Sequence, residues 1–230
     1  MDYGKVRRGR FIQRPNRFIA MVDVDGVVER CHVRNTGRCK ELLIPGATVV
    51  LEDVGGSKRS TRYSLIAVYK GDRLVNMDSQ IPNRVIEEGI SKVLSLSDGY
   101  SMRREHPFGD SRIDLFVMDG DRRILVEVKG VTLEMGNVAM FPDAPTVRGV
   151  KHTRELMNAV GEGYECYLVL LIQMSNVDLF TPNYDMHMEF GKALEEAERA
   201  GVKVVAFDCN VTDSSIGMGN RVRVEFRHHR

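Results

Sequence analysis

The sequence predicts an α/β protein with a small all-β module ahead of a mixed-sheet domain. Two observations carry this. Through residue 80, short runs rich in β-branched and aromatic residues alternate with turn signals, and no stretch keeps a helical period. Beyond Gln80 the period changes, and helical stripes alternate with apolar strand-like runs.

The elements follow in order. Residues 10–13 and 17–24 read as strands, and Asp25-Gly26 turns the chain into the run Val27–Val33. Pro45-Gly46 leads into Ala47–Glu52, and Tyr63–Tyr69 turns at Lys70-Gly71-Asp72 into Arg73–Met77. About five such strands suggest a small barrel, and OB-like and SH3-like barrels fit the spacing equally. Pro82–Leu94 fits a helix with Val85, Ile86, Ile90 and Val93 on one side. A strand over Tyr100–Glu105 follows, then two apolar runs, Arg112–Met118 and Ile124–Lys129, joined by the hairpin turn Asp119-Gly120-Asp121. Residues 145–160 read as a helix with Val147, Val150, Met157 and Val160 near one face and Arg148, Lys151, His152 and Glu155 opposite. Tyr167–Ile172 is a buried strand and Phe190–Ala200 an amphipathic helix ended by Gly201. Lys203–Phe207 is a strand expected to lie parallel to Tyr167–Ile172 across that helix. The boundary should fall between residues 80 and 90, giving a barrel domain over 1–82 and an α/β domain over 83–230.

The totals bound the function. At 43% hydrophobic and 28% charged residues the composition is that of an ordinary globular chain. No apolar run approaches a membrane span and no signal-peptide pattern is present, so a cytoplasmic protein is expected. A net charge of +1 requires any nucleic-acid surface to be local. Lys5, Arg7, Arg8, Arg10, Arg14 and Arg17 crowd the N-terminus, and the C-terminal stretch from Arg221 is basic too; each also reads as a solvated terminal strand. Cys31, Cys39, Cys166 and Cys209 imply no disulfide framework; Cys166 and Cys209 read as core thiols, and a zinc site at Cys31 and Cys39 is the minor alternative.

The chemistry concentrates on the hairpin. Asp114 stands in the first apolar run, and Glu127 and Lys129 in the second, on one face because strand side chains alternate. Two carboxylates offer the hard oxygens that Mg²⁺ or Mn²⁺ takes, with the Val128 carbonyl as a third donor, and a lysine beside them can position water or neutralise a phosphoryl group. This D…E-x-K arrangement is the signature of the PD-(D/E)xK nuclease-like core. The competing reading is an exposed hairpin with a cross-strand ion pair, worth about 1 kcal/mol or less. Apolar residues on both sides of the charges speak against it.

Segments along the chain resemble the sugar fermentation stimulation protein A family. They include Arg17-Phe18, His32-Val33-Arg34-Asn35-Thr36-Gly37, Asn83-Arg84, Arg112-Ile113-Asp114 and Glu127-Val128-Lys129. The longest is the block from Phe141-Pro142-Asp143-Ala144 through Arg148-Gly149 and Lys151-His152 to Glu155-Leu156. The resemblance implies an N-terminal OB-like barrel, a PD-(D/E)xK nuclease-like α/β domain, DNA binding with little sequence preference and a regulatory role in sugar (maltose) metabolism. The chain departs from the family pattern at Arg34, Arg38-Cys39, Gly130 and Pro145, none of which is an acid or lysine of the hairpin. The two arginines make the Asn35 loop more basic.

The expected site is therefore Asp114, Glu127 and Lys129 as the catalytic set. Asp114 and Glu127 hold the metal, joined by Glu105, which reads equally as a solvated acid. Gln173 is a candidate near the metal. Asp143 reads as a helix-capping or first-turn acid as readily as a catalytic one. Arg148, Lys151 and His152 on the helix, and Arg14, Arg17, Asn35 and Arg38 on the barrel, are candidate nucleic-acid contacts. Phe11 and Phe18 could stack bases if exposed, and Phe18 is assigned to the core. Two function classes follow: a Mg²⁺-dependent phosphodiesterase acting on nucleic acid, and a non-catalytic DNA-binding regulator.

Overall fold

The computed structural model describes residues 1–35, 37–55 and 60–227; Thr36 of the Asn35 loop and the last three residues of the basic C-terminal stretch lie outside them. The first part is six strands: β1 (Val6–Asn16), β2 (Ile19–Val24), β3 (Val27–Val33), β4 (Thr48–Asp53), β5 (Tyr63–Lys70) and β6 (Arg73–Asn76). They run in the order β3-β2-β1-β4-β5-β6, and a parallel pairing of β3 with β5 closes the first five into a barrel. That closure is the OB-like topology rather than the SH3-like one. The β2–β3 turn has Asp25 at φ 55 and Gly26 at φ 84, two consecutive positive values that a tight hairpin turn requires.

Two short helices, α1 (Pro82–Glu88) and α2 (Ile90–Val93), lead into the second part. Its further elements are β7 (Ser101–Phe108), β8 (Ser111–Asp119), β9 (Arg122–Val131), β10 (Leu133–Met135), β11 (Val138–Phe141), α3 (Val147–Gly161), β12 (Glu165–Ile172), β13 (Leu179–Pro182), α4 (Met188–Arg199), β14 (Lys203–Val211) and β15 (Ile216–Val224). The nine strands form one mixed sheet, β10-β11-β13-β15-β14-β12-β9-β8-β7. The strands of Tyr167 and Lys203 are parallel, as expected across α4. Strand β9 is central, antiparallel to β8 and parallel to β12, so its residues from Ile124 to Val128 are buried, Glu127 among them. The basic run at Arg221 is a strand with its arginines outward, as expected, but an interior one: β15 lies between β13 and β14 with Val222 buried.

Helix α3 turns differently from its expected face. Val147 is 80% exposed, while Gly149, His152, Thr153, Leu156 and Ala159 are buried. Small residues win because α4 crosses closely: a Cβ on Gly149 would stand 3.2 Å from the Phe190 ring. The helix is capped by Thr146, whose hydroxyl accepts from the Gly149 N–H at 3.0 Å, so Asp143 is not the cap.

The two parts share a core. Val50, Ile66 and Leu74 of the barrel join Val85 and Ile86 of α1 and Val126, Val169 and Phe207 of the sheet in one apolar cluster. Polar ties reinforce it. The Gln173 amide donates to Asn76 Oδ1 at 3.0 Å and to the Asp78 carbonyl at 3.1 Å. Arg34 bridges Glu52 at 2.5 Å and Asp78 at 3.1 Å, so it serves this joint and is not a phosphate contact. Because Ile86 is fully buried at the shared core, Ile86→Ala should destabilise the whole chain by about 2–5 kcal/mol. Calorimetry should show one transition moving down in temperature, not a barrel melting unchanged.

Candidate active site

The hairpin of β8 and β9 pairs Leu115 with Val126, which brings Asp114 level with Glu127. Asp114 Oδ2 accepts the Val128 backbone N–H at 2.8 Å, and Oδ1 accepts from the Asn83 side-chain amide of α1 at 2.8 Å. Glu127 is 1% exposed. Its Oε1 takes both the Lys129 ammonium at 2.5 Å and His152 Nδ1 at 2.5 Å. Its Oε2 is buried with no hydrogen-bond partner among the described residues.

The hydrogen bonds fix the histidine tautomer. Arg148 Nε lies 3.2 Å from His152 Nε2, and a guanidinium can only donate. Nε2 is therefore the acceptor, and Nδ1 carries the proton it gives to Glu127. Burial pushes Asp114 above the usual carboxylate range, and the neighbouring charge of Glu127 adds to the rise. Burial acts the same way on Glu127, but the bonds from His152 and Lys129 outweigh it and leave the carboxyl below its usual value.

The structure thus joins Asp114, Glu127 and Lys129 and adds His152 and Asn83. His152 was expected on the cationic outer face with Arg148 and Lys151. It is instead 4% exposed and holds the carboxylate, because the buried face runs through Gly149, His152, Thr153, Leu156 and Ala159 beside Val150, and takes in Glu155 as well. Its position three residues after Gly149 and four before Leu156 was the available signal. Asn83 carried no chemical signal beyond its place in the family motif.

Glu105 is not drawn to the pair. Its neighbours Arg104 and His106 face Leu115 and Ile113, so it stands across from Asp114, but φ of 51° breaks the strand alternation there. Its side chain is exposed and bonds to no described residue. Among the described residues no three His, Cys, Asp or Glu side chains converge to hold a metal, at the hairpin or at Cys31 and Cys39. All four thiols are free and buried, and burial pushes those of Cys31, Cys39 and Cys166 up to about 12. Gln173 belongs to the interdomain joint.

On the barrel, the guanidinium of Arg14 donates to the carbonyls of Arg17, Asn35, Gly37 and Arg38 at 2.5–2.9 Å. Asn35 donates to the Met77 carbonyl at 2.9 Å and accepts from the Gly37 N–H at 2.7 Å. Both therefore build the loop rather than face outward. Arg17 and Arg38 are exposed, and with Lys40 they line a groove of about 680 Å³. Phe11, 3% exposed, is buried rather than a stacking platform. Phe18, assigned to the core, is 44% exposed with the Arg17 guanidinium 4.7 Å above its ring. Arg148 and Lys151 are exposed on α3, Lys151 reaching the Asp110 carbonyl at 3.1 Å.

Two family descriptions match the chain: the SfsA N-terminal OB domain over residues 12–77 and the sugar fermentation stimulation protein RE domain over residues 80–215. A sugar fermentation stimulation protein homolog of Desulfitobacterium hafniense (strain DSM 10664 / DCB-2) is 53% identical over 225 residues, 98% of each chain. One of Clostridium beijerinckii is 50% identical over 224 residues, 97% of this chain and 99% of that one. The solved structure of Pyrococcus furiosus SfsA in complex with Ca²⁺ superposes with a TM-score of 0.86 at 29% identity, covering 98% of both chains.

The raised pKa of Asp114 makes its ionised form a cost to the fold. The stability it contributes is complete below the unfolded-state value and is lost as pH rises through the folded one. Glu127, lowered, contributes stability above its unfolded value that is lost as pH falls through its folded one. Asp114→Asn keeps the shape, and Asn83 can turn its amide to accept. In EDTA near neutral pH this variant should be more stable than wild type by about 1 kcal/mol, a gain that vanishes in acid. Urea melts across pH would show it.

Proposed function

The chain belongs to the sugar fermentation stimulation protein family, and we propose that it is a divalent-cation-dependent phosphodiesterase acting on nucleic acid, centred on Asp114, Glu127 and Lys129. One observation carries this reading: Glu127 Oε2 is buried beside a second carboxylate, that of Asp114, and has no hydrogen-bond partner among the described residues. A protein gains nothing in stability by burying a carboxylate oxygen that bonds to nothing. A hard cation would satisfy it and relieve the repulsion with Asp114. Mg²⁺ sites commonly use one or two carboxylates, leaving water and phosphate oxygens to complete the shell, so a two-acid set suffices. Asp114 and Glu127 would hold the ion with the Val128 carbonyl. The Ca²⁺ complex of the Pyrococcus furiosus relative supports a divalent site in this family.

When bound, the cation supplies Lewis-acid polarisation of the scissile phosphate and lowers the pKa of its water. The chain's residues do the rest. Asn83 and the Val128 N–H fix the Asp114 carboxylate in place. His152, oriented by Arg148, holds Glu127 by one oxygen so that the other stays open. Lys129 places an ammonium where negative charge grows on the phosphoryl oxygens. Arg17, Arg38 and Lys40 on the barrel and Arg148 on α3 offer charges to the flanking phosphates.

These exposed cations also support the second reading, a DNA-binding regulator without turnover. Labelled DNA and RNA, single- and double-stranded, separate the two when incubated with Mg²⁺ or Mn²⁺. Cleavage should depend on the metal, stop in EDTA and fall by about 10²–10³ in Glu127→Gln. Binding without cleavage in either metal would leave only the regulator. Affinity should fall with salt in either case, and replacing Arg17 and Arg38 together with alanine should reduce the log–log slope by about 2. An unchanged slope would place the phosphates elsewhere.

A further inference from the structure

One residue past Lys129 the chain enters a separate cleft of about 310 Å³ between barrel and sheet. Gly130 and Pro82 line it, and they are the chain neighbours of Lys129 and Asn83, so it lies one residue along the chain from the candidate active site on both β9 and α1. Its size is at the lower end of the ~300–1,000 Å³ usual for small-molecule sites. Unlike the barrel groove, it has no Lys, Arg or His among its described lining residues. A phosphate would find no charge partner there.

The cleft offers hydrogen-bond acceptors instead. Gln173 is 2% exposed. Its Nε2 must face the Asp78 carbonyl, which can only accept, and this fixes the amide orientation. Its Oε1 then projects over Gly130, where a Cβ would stand only 2.4 Å away, and it accepts from no described residue. The Asp143 carboxylate, also lining the cleft, has no hydrogen bond or ion pair with a described residue. Phe141 supplies an aromatic wall, its ring edge-on to Phe190 at 5.2 Å.

We infer that this cleft receives a nucleobase of the substrate strand, with guanine preferred. The inference rests on the phosphodiesterase reading of the adjacent site and names the substrate feature next to the scissile phosphate. Guanine presents two adjacent donors, N1–H and N2–H, which a carboxylate accepts together. Adenine and cytosine place a ring acceptor beside their amino group, and thymine sets one N–H between two carbonyls. A base reaches the cleft only when unpaired, so the strand enters single-stranded, frayed or with that nucleotide flipped out.

Calorimetric titration in Ca²⁺ tests it with five ligands: dGMP, dAMP, dCMP, dTMP and baseless 2-deoxyribose 5-phosphate. Wild type should bind dGMP about 10-fold more tightly than the baseless sugar phosphate, and Asp143→Asn should bring the two within about 2-fold. Gly130→Ala, which displaces the Gln173 amide, should weaken the nucleotides and spare the sugar phosphate; thermal melts establish that each variant is folded. Equal binding of all five, or of none, would overturn the inference. Metal-dependent cleavage measured separately would then still stand or fall for the phosphodiesterase reading.

Discussion

A carboxylate at the centre of a sheet strand has to be neutralised where it stands, because moving it out of water costs several kcal/mol. Glu127 is that carboxylate, and the surrounding structure answers to it. Lys129 returns to the same face two residues on, and α3 must present His152 at the right turn. That phase sets which side of α3 faces the sheet, and with it the close crossing of α4 at Gly149. Both partners sit on one oxygen. An arrangement serving stability alone would share them between the two, since each unsatisfied buried oxygen carries a penalty. The asymmetry leaves one buried oxygen for the divalent cation of the proposed function.

The second dependence is between the domains. The barrel does not hang from a linker: the joint is a packed core with a buried polar network of Arg34, Glu52, Asn76, Asp78 and Gln173. The same segment delivers Asn83 to Asp114. A shift of the barrel on the sheet would therefore be felt at the carboxylates, and the barrel loop, sheet and α1 act as parts of one cleft. Gly37 lines both the cation-rich barrel groove and the cleft beyond Lys129, so the two surfaces are continuous.

Much of this was legible in the sequence, for physical reasons. The change of period near Gln80 and the parallel pairing across α4 follow from local patterns. Asp114, Glu127 and Lys129 stood out because charges interrupt apolar runs. The closure of the barrel needed the long-range β3–β5 pairing, which no local pattern encodes; only the family likeness supplied it. His152 was read on the wrong face because Val147 was weighted as core, whereas it is 80% exposed and the packed face is turned toward Gly149 and Thr153. Phe18 and Phe11 have equal hydrophobicity, but Phe11 lies within β1 and is buried, whereas Phe18 stands in the turn between β1 and β2 and is exposed. Arg14 and Asn35 looked like nucleic-acid contacts, but a loop rich in carbonyls claimed them first, while Arg34, which makes that loop more basic, pairs with Glu52 and Asp78.

What remains exposed after those claims forms a pattern. The exposed cations Arg17, Arg38 and Lys40 lie on the barrel, and Arg148, which also donates to His152, lies on the helix. Two acceptors without a hydrogen-bond donor among the described residues, Gln173 Oε1 and Asp143, line the interdomain cleft. Phosphates and bases ask for opposite things: one needs donors and positive charge in the open, the other needs a shielded edge where a hydrogen bond is not shared with water. A surface that only bound the backbone of DNA would have no use for a recess lined by acceptors and holding no described cation. The sorting of charge between groove and recess therefore favours a protein that handles a nucleotide, phosphate outside and base within, over one that merely holds the duplex.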